Sequence, residues 1–271
     1  MTDDLTGQAP DAAWTWTQPL AHGQDPDVAA ALLWAAGALG VWVRTDDVVG
    51  YFADQVDGLA GGTWEAVEEV DWLERWREGI EPVAAGGFVV VPTWLADADD
   101  LPSGQPILLD PGRAFGSGHH DTTAGCLEEV GNHVRTGMQV FDVGTGTGVL
   151  AIAAAMRGAT VTAVDIDPDA VVVAGENASA NGVQITTAVG SADAVAPGSM
   201  DVVLANLLTH TIVALADELV EALVDDGLLV ASGIGEARAP EAVAALEAAG
   251  LRDVTVRIRG EWAIVLGRRH P

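Results

Sequence analysis

The chain has no lysine, one cysteine and one tyrosine among its 271 residues. A single cysteine, Cys126, excludes an internal disulfide and any metal cluster built on thiolates, and suits a reducing compartment. No run of about 20 uncharged apolar residues occurs, so no membrane-spanning helix is expected. The start, Met1-Thr2-Asp3-Asp4, lacks the basic and apolar regions of a secretory signal. These absences together predict a cytoplasmic protein with no membrane partner. Positive charge is scarce: 12 basic residues, all arginine, face 40 acidic ones, for a formal charge of −28. Such a chain repels free nucleic acid, whose binding depends on neutralising phosphates. Two readings of the acidity remain, attraction to a basic protein or a solvated surface of the kind adapted to salt. The scatter of Asp and Glu along the whole chain favours the second.

What is abundant is apolar: 49% of residues and a mean hydropathy of +0.26 argue for a well-packed globular protein. The length accommodates a domain of roughly 170 residues and a smaller one. Residues 13–19 alternate like a short strand. Asp25-Pro26-Asp27 opens a helix reaching about Ala38, with an acidic first turn. Gly40–Arg44 and Val48–Phe52 are strand-like around the polar turn Thr45-Asp46-Asp47, and residues 56–63 are a glycine-rich loop. Asp71–Arg77 reads as a short helix, Gly87–Val91 as a strand, and residues 96–106, without periodicity, as a linker. All nine tryptophans but Trp262 precede residue 95, which packing of a small core explains better than a recognition surface. The domains expected are therefore 1–62, an interdomain stretch 63–106, and 107–271.

From residue 107 strands and helices alternate. A helix is expected over 121–133, and strands near 138–143, 160–165, 184–189, 201–206 and 227–232, which gives a parallel sheet with right-handed crossovers. Val254–Arg259 and Trp262–Gly267 flank the tight Gly260-Glu261 turn and form an antiparallel hairpin. The fold class is thus α/β, a doubly wound, mostly parallel sheet ending in that hairpin.

The most informative stretch is Val140–Gly148, strand then glycine turn, followed by a second strand ending in Asp165-Ile166-Asp167. Three glycines let backbone approach a ligand closely, and a carboxylate at the second strand's tip can accept from both ribose hydroxyls. The spacing is G-x-G-x-G rather than the G-x-G-x-x-G of dinucleotide folds. With Asp142 just before it, the turn points to S-adenosylmethionine and away from a nicotinamide. Asp167, before Pro168, is a helix N-cap. Asn206 ends the fourth strand at the carboxyl edge, where open α/β sheets bind ligands. No Pro-Pro-aromatic follows it, and the sole tyrosine, Tyr51, lies far upstream, so an aliphatic amine is a better acceptor than a planar amide or base.

These segments resemble the ribosomal protein L11 methyltransferase family. The resemblance is carried by Leu109–Thr123, Asp142–Gly148, Asp165–Pro168, Glu176-Asn177-Ala178, Ala205–Leu208, Ser232-Gly233-Ile234 and Glu261-Trp262, with likeness upstream at Asp71-Trp72, Trp76-Arg77 and Pro92-Thr93-Trp94. Asp121 stands where the family pattern has proline, and Leu207 where members usually have isoleucine. The resemblance implies a seven-stranded methyltransferase domain and an N-terminal ferredoxin-like domain that captures the substrate. It also implies transfer of methyl groups from S-adenosylmethionine to amino groups of ribosomal protein L11. Expected donor-site residues are Gly144, with Gly146 and Gly148 shaping the turn, Asp165, Thr123 and Thr122. Asn206 is expected to aim the amine and His120 to act as a base or water-positioning group. His119 and His120 are not expected to bind metal. Two rivals remain, a relative acting on another protein or a small amine, and a non-catalytic donor-binding protein.

Overall fold

The computed structural model describes residues 14–20, 29, 32–34, 36–44, 47–66, 82–98, 100–110 and 121–270. The chain divides into two compact units, Met1–Gly79 and Ile80–Pro271.

The first unit is built on an antiparallel sheet of β1 (Trp14–Pro19), β2 (Gly40–Val43), β3 (Asp47–Phe52) and β4 (Thr63–Ala66), in the order β2-β3-β1-β4. Ala29 and Leu32–Trp34 are helical, between β1 and β2. This is the ferredoxin-like strand order, with one difference. The connection from β3 to β4, Ala53–Gly62, contains no helix; it is a turn-rich loop with positive φ at Gly58 and Gly61. The core is small and aromatic: Trp16, Leu33, Val48 and Phe52 are buried, and Trp64 packs on both Trp16 and Phe52 with centroids 5.2 and 5.0 Å apart. Packing therefore accounts for these two tryptophans. The helix expected at 71–77 lies outside the described residues.

The second unit opens with a three-stranded sheet of β5 (Val83–Ala85), β6 (Phe88–Pro92) and β7 (Gln105–Leu109). β6 and β7 run parallel. The stretch read from the sequence as a linker thus joins two neighbouring strands of one sheet, and its last residues, Gln105 and Pro106, belong to β7. The main sheet has the order β10-β9-β8-β11-β12-β14-β13. Its strands are β8 (Gln139–Val143), β9 (Thr160–Asp165), β10 (Thr186–Val189), β11 (Met200–Asn206), β12 (Leu223–Gly235), β13 (Leu251–Arg259) and β14 (Trp262–Arg269). β8 to β12 are parallel, while β14 runs antiparallel to both β12 and β13. The doubly wound sheet with a terminal hairpin is as expected.

Period-two alternation sends successive side chains to opposite faces. Val140, Val202, Leu204 and Val230 join one core with helices α1 (Asp121–His133) and α2 (Val149–Met156). Phe141, Val143, Val203, Ala205, Leu229 and Ala231 join the other. That second core contains helices α4 (Thr209–Ala214), α5 (Ala216–Glu221) and α6 (Ala239–Ala248); α3 (Pro168–Ala180) follows β9. Helix α1 is tied to the hairpin by charge. Arg257 pairs with Glu128 at 2.8 Å and with the buried Glu129, while Arg259 reaches Glu128 at 2.5 Å and Asp121 at 3.2 Å. Asp121, at the family's proline position, thereby joins a network that anchors the start of α1.

Removing Arg257 takes the guanidinium from the buried Glu129 carboxylate and leaves it His133, whose Nε2 lies 3.2 Å from its Oε2. Arg257→Ala is expected to cost about 2 kcal/mol, less than the about 3–5 kcal/mol of a fully buried pair because the guanidinium is half in water. Urea unfolding measures this. Glu129→Gln in the same background should recover most of the loss, and failure to do so would show that packing of the arginine stem dominates.

Candidate functional site

The carboxyl ends of β8, β9, β11 and β12 converge on one rim. On the α1 face the alternation leaves three polar residues where apolar ones would otherwise continue: Asp142 on β8, Asn206 on β11 and Ser232 on β12. Asn206 is half-buried, and its Nδ2 donates to Thr123 Oγ1 at 3.2 Å. Two residues 83 positions apart in sequence are thus brought into contact. The Asn206 amide oxygen accepts no hydrogen bond among the described residues. Thr122 and Thr123 are both buried in the first turn of α1.

Between β8 and α2 the glycine turn runs with φ of 71°, 54° and 83° at Gly144, Gly146 and Gly148. Asp165 braces it: its Oδ2 accepts from Gly146 N at 2.9 Å and its Oδ1 from Asp167 N at 3.0 Å. Each oxygen keeps a lone pair for a further donor. Asp167 caps α3, its Oδ1 accepting from Asp169 N at 2.9 Å, with Pro168 at the first helical position as expected.

Leu207, directly after Asn206, is wedged between two glycines. A Cβ on Gly144 would stand 2.2 Å from Leu207 Cδ2, and one on Gly233 would stand 2.2 Å from the Leu207 carbonyl oxygen. Close approach to the Leu207 backbone demands glycine at 233, while at 144 it is the φ of 71° that does so, the leucine methyl being able to move. A Cβ on the third turn glycine, Gly148, would stand 3.0 Å from Ala174 of α3, so this glycine serves helix packing.

Asp142 is almost wholly buried. Its Oδ2 accepts from Thr145 Oγ1 at 2.7 Å, while its Oδ1 has no hydrogen-bond partner among the described residues. Burial pushes its pKa up to about 6, with the Thr145 hydrogen bond opposing and the Asp165 charge adding to the shift. Burial likewise pushes up the Cys126 thiol, which shares the space under Asp142 with Ser232. The cysteine is an inert core residue, as expected from its place in α1.

The rim therefore gathers Thr122, Thr123, Gly144, Gly146, Gly148, Asp165 and Asn206. His120, with His119, lies outside the described residues. The sequence reading gave no structural part to Leu207, or to two asparagines of the α3 region, Asn177 and Asn181. Their signal was present: an amide pair one helical turn apart, in line with the buried Ala170, Ala174 and Ala178. The residues fit an adenosyl amino acid. Asp165 has spare acceptors for a vicinal diol, the glycine turn admits close backbone contact, and the unpartnered Asp142 oxygen suits a group of positive charge.

The doubly wound sheet with its terminal antiparallel hairpin and this rim define a Rossmann-like methyltransferase. Residues 32–270 match the family model described as Ribosomal protein L11 methyltransferase (PrmA). The Thermus thermophilus ribosomal protein L11 methyltransferase is 40% identical over 235 residues, covering 86% of this chain and 91% of that protein. The Deinococcus radiodurans counterpart is 37% identical over 255 residues, covering 88% and 93%. A crystal structure of ribosomal protein L11 methylase from Lactobacillus delbrueckii subsp. bulgaricus superposes with a TM-score of 0.63 at 32% identity, over 70% of this chain and all of that one. The chain belongs to the ribosomal protein L11 methyltransferase family.

A carboxyl whose folded pKa lies above its ordinary value of 3.8 holds a proton in the folded state that the unfolded chain has released. Its favourable contribution is complete below about pH 4 and lost as pH rises through about 6. Asp142→Asn should therefore remove a decline in stability across that window and raise the unfolding midpoint at pH 8. Unfolding curves at pH 4, 6 and 8 measure it; parallel pH dependences in the two proteins would contradict the assignment.

Proposed function

We propose that this chain transfers methyl groups from S-adenosylmethionine to amino groups of ribosomal protein L11 in the cytoplasm, at lysine side chains and the N-terminal amine. The observation that carries the reading is the contact of Asn206 with Thr123 beside the Asp165-braced glycine turn, in a chain of this family. When bound, S-adenosylmethionine supplies an electrophilic methyl group on a sulfonium. In-line displacement by a neutral amine needs little acid–base help, so positioning and exclusion of water are the protein's tasks.

Asp165 would accept from the ribose hydroxyls with its remaining lone pairs, and the backbone at Gly144 would meet the methionine part. Asp142 would face the donor's positive charge. Thr123 fixes the Asn206 amide, leaving its Oδ1 to accept from the incoming amine and turn the lone pair toward the methyl group. Lysine, with a reference pKa near 10.4, must arrive deprotonated. His120 is the proposed aid to that step, with Thr122 a secondary donor contact. Each described arginine donates to an acceptor of the chain itself. The small first unit is the element proposed to capture L11.

Incubating L11 with the chain and S-adenosylmethionine should add methyl groups to the intact mass of L11, localised to amines by peptide mapping. An unchanged mass would exclude L11 as the substrate. Asp165→Ala should weaken donor binding by about 1.5–3 kcal/mol, the worth of a charge-assisted bond. Asn206→Ala should depress turnover at saturating donor; a normal rate would rule out its aiming role.

A further inference from the structure

Asn177 and Asn181 lie one helical turn apart at the end of α3 and treat β7 as a strand would. Asn181 Oδ1 accepts from Leu108 N at 2.8 Å and its Nδ2 donates to Leu108 O at 2.6 Å. Asn177 Oδ1 accepts from Asp110 N at 3.0 Å and its Nδ2 donates to Asp110 O at 3.1 Å. The match is geometric. Four helical residues rise about 6.0 Å, and two strand residues span about 6.6 Å. Two amides four apart on a helix can therefore satisfy alternate residues of a strand edge running the opposite way. β6 covers the other edge of β7.

The two asparagines then differ. Asn177 is buried, and its Nδ2 donates a second bond, 2.9 Å long, to the carbonyl of Thr147 inside the glycine turn. The second donation of Asn181 goes only to the Asn177 carbonyl, at 2.8 Å. Asp110 is the residue from which the chain leaves β7 toward Thr122 and Thr123. One side chain thus ties together the glycine turn and the departure point of the segment that leads to α1.

We infer that Asn177 is a positioning residue for the methyl donor, holding the glycine turn at a fixed separation from the end of β7 so that the turn presents one geometry to the donor. The inference rests on the donor reading given above. It predicts a division of labour. Both asparagines stabilise the fold, and only Asn177 sets donor affinity, because only it reaches the turn. A merely structural role would make the two equivalent.

The test is calorimetric titration of S-adenosylhomocysteine into the full chain and its Asn177→Ala and Asn181→Ala variants, alongside steady-state kinetics and thermal unfolding. Asn177→Ala should raise Kd and the donor KM about tenfold or more, one lost buried acceptor–donor set being worth that factor. Its kcat at saturating donor and its KM for the protein substrate should stay within about twofold. Asn181→Ala should lower the unfolding temperature comparably and leave donor Kd within about twofold. If Asn177→Ala does not fold, the isosteric Asn177→Asp serves: it keeps the acceptor for Asp110 N but sets an oxygen against the Thr147 carbonyl, and the same loss of affinity is expected. Wild-type affinity in a folded Asn177 variant, or an equal loss in Asn181→Ala, overturns the inference alone. Absence of binding by the wild-type chain overturns the donor reading and the inference with it.

Discussion

The site depends on one carboxylate accepting two backbone amides. The turn after β8 bonds β9 only at its start, where Gly144 N and Thr145 N donate to Val164 O at 2.8 and 3.0 Å, and the glycines beyond would leave the backbone free to wander. Asp165, at the tip of β9, takes Gly146 N with one oxygen and Asp167 N with the other. It thereby locks the turn after β8 to the start of α3. Every other feature of the rim is set against that lock: Leu207 fits between Gly144 and Gly233, Asn206 is presented by the same backbone, and Thr123 meets its amide from α1.

The opposite bank is fixed by charge rather than by backbone bonds. Arg257 and Arg259, two apart on β13, meet three carboxylates spaced over two turns of α1, which is how a terminal hairpin remote in sequence holds the helix carrying Thr122 and Thr123. In a chain of formal charge −28, these arginines are spent inside the fold. Asp142 adds an opposing element, since its carboxyl, raised in pKa by burial, weakens the fold at neutral pH. Such a cost is typical where a site is kept ready for a ligand.

Much of this was legible in the residues. The strands of the main sheet and the terminal hairpin follow from short β-branched runs separated by helical stretches. Asp167-Pro168 marked the start of α3, and the glycine spacing with Asp165 marked the rim. The rest had physical reasons to stay hidden. β4 is four residues long with only Trp64 turned partly inward, too brief to show a period. β7 begins with Gln105-Pro106 after a polar stretch, so its parallel pairing with β6 reads as linker until the partner is seen. The spacing of Asn177 and Asn181 along the buried alanines of α3 marks them as a pair, but their partners are backbone atoms 30 to 73 positions away, which side-chain patterns do not reveal. The closeness of Leu207 to two glycines is likewise a fact of three dimensions.

The central claim is tested most directly by a crystal structure of the chain with S-adenosylhomocysteine bound. The account predicts the ribose diol on Asp165, the amino acid end against Gly144 on the side of Asp142, and the sulfur toward Asn206. Density for the ligand elsewhere, or a ribose turned away from Asp165, would contradict it.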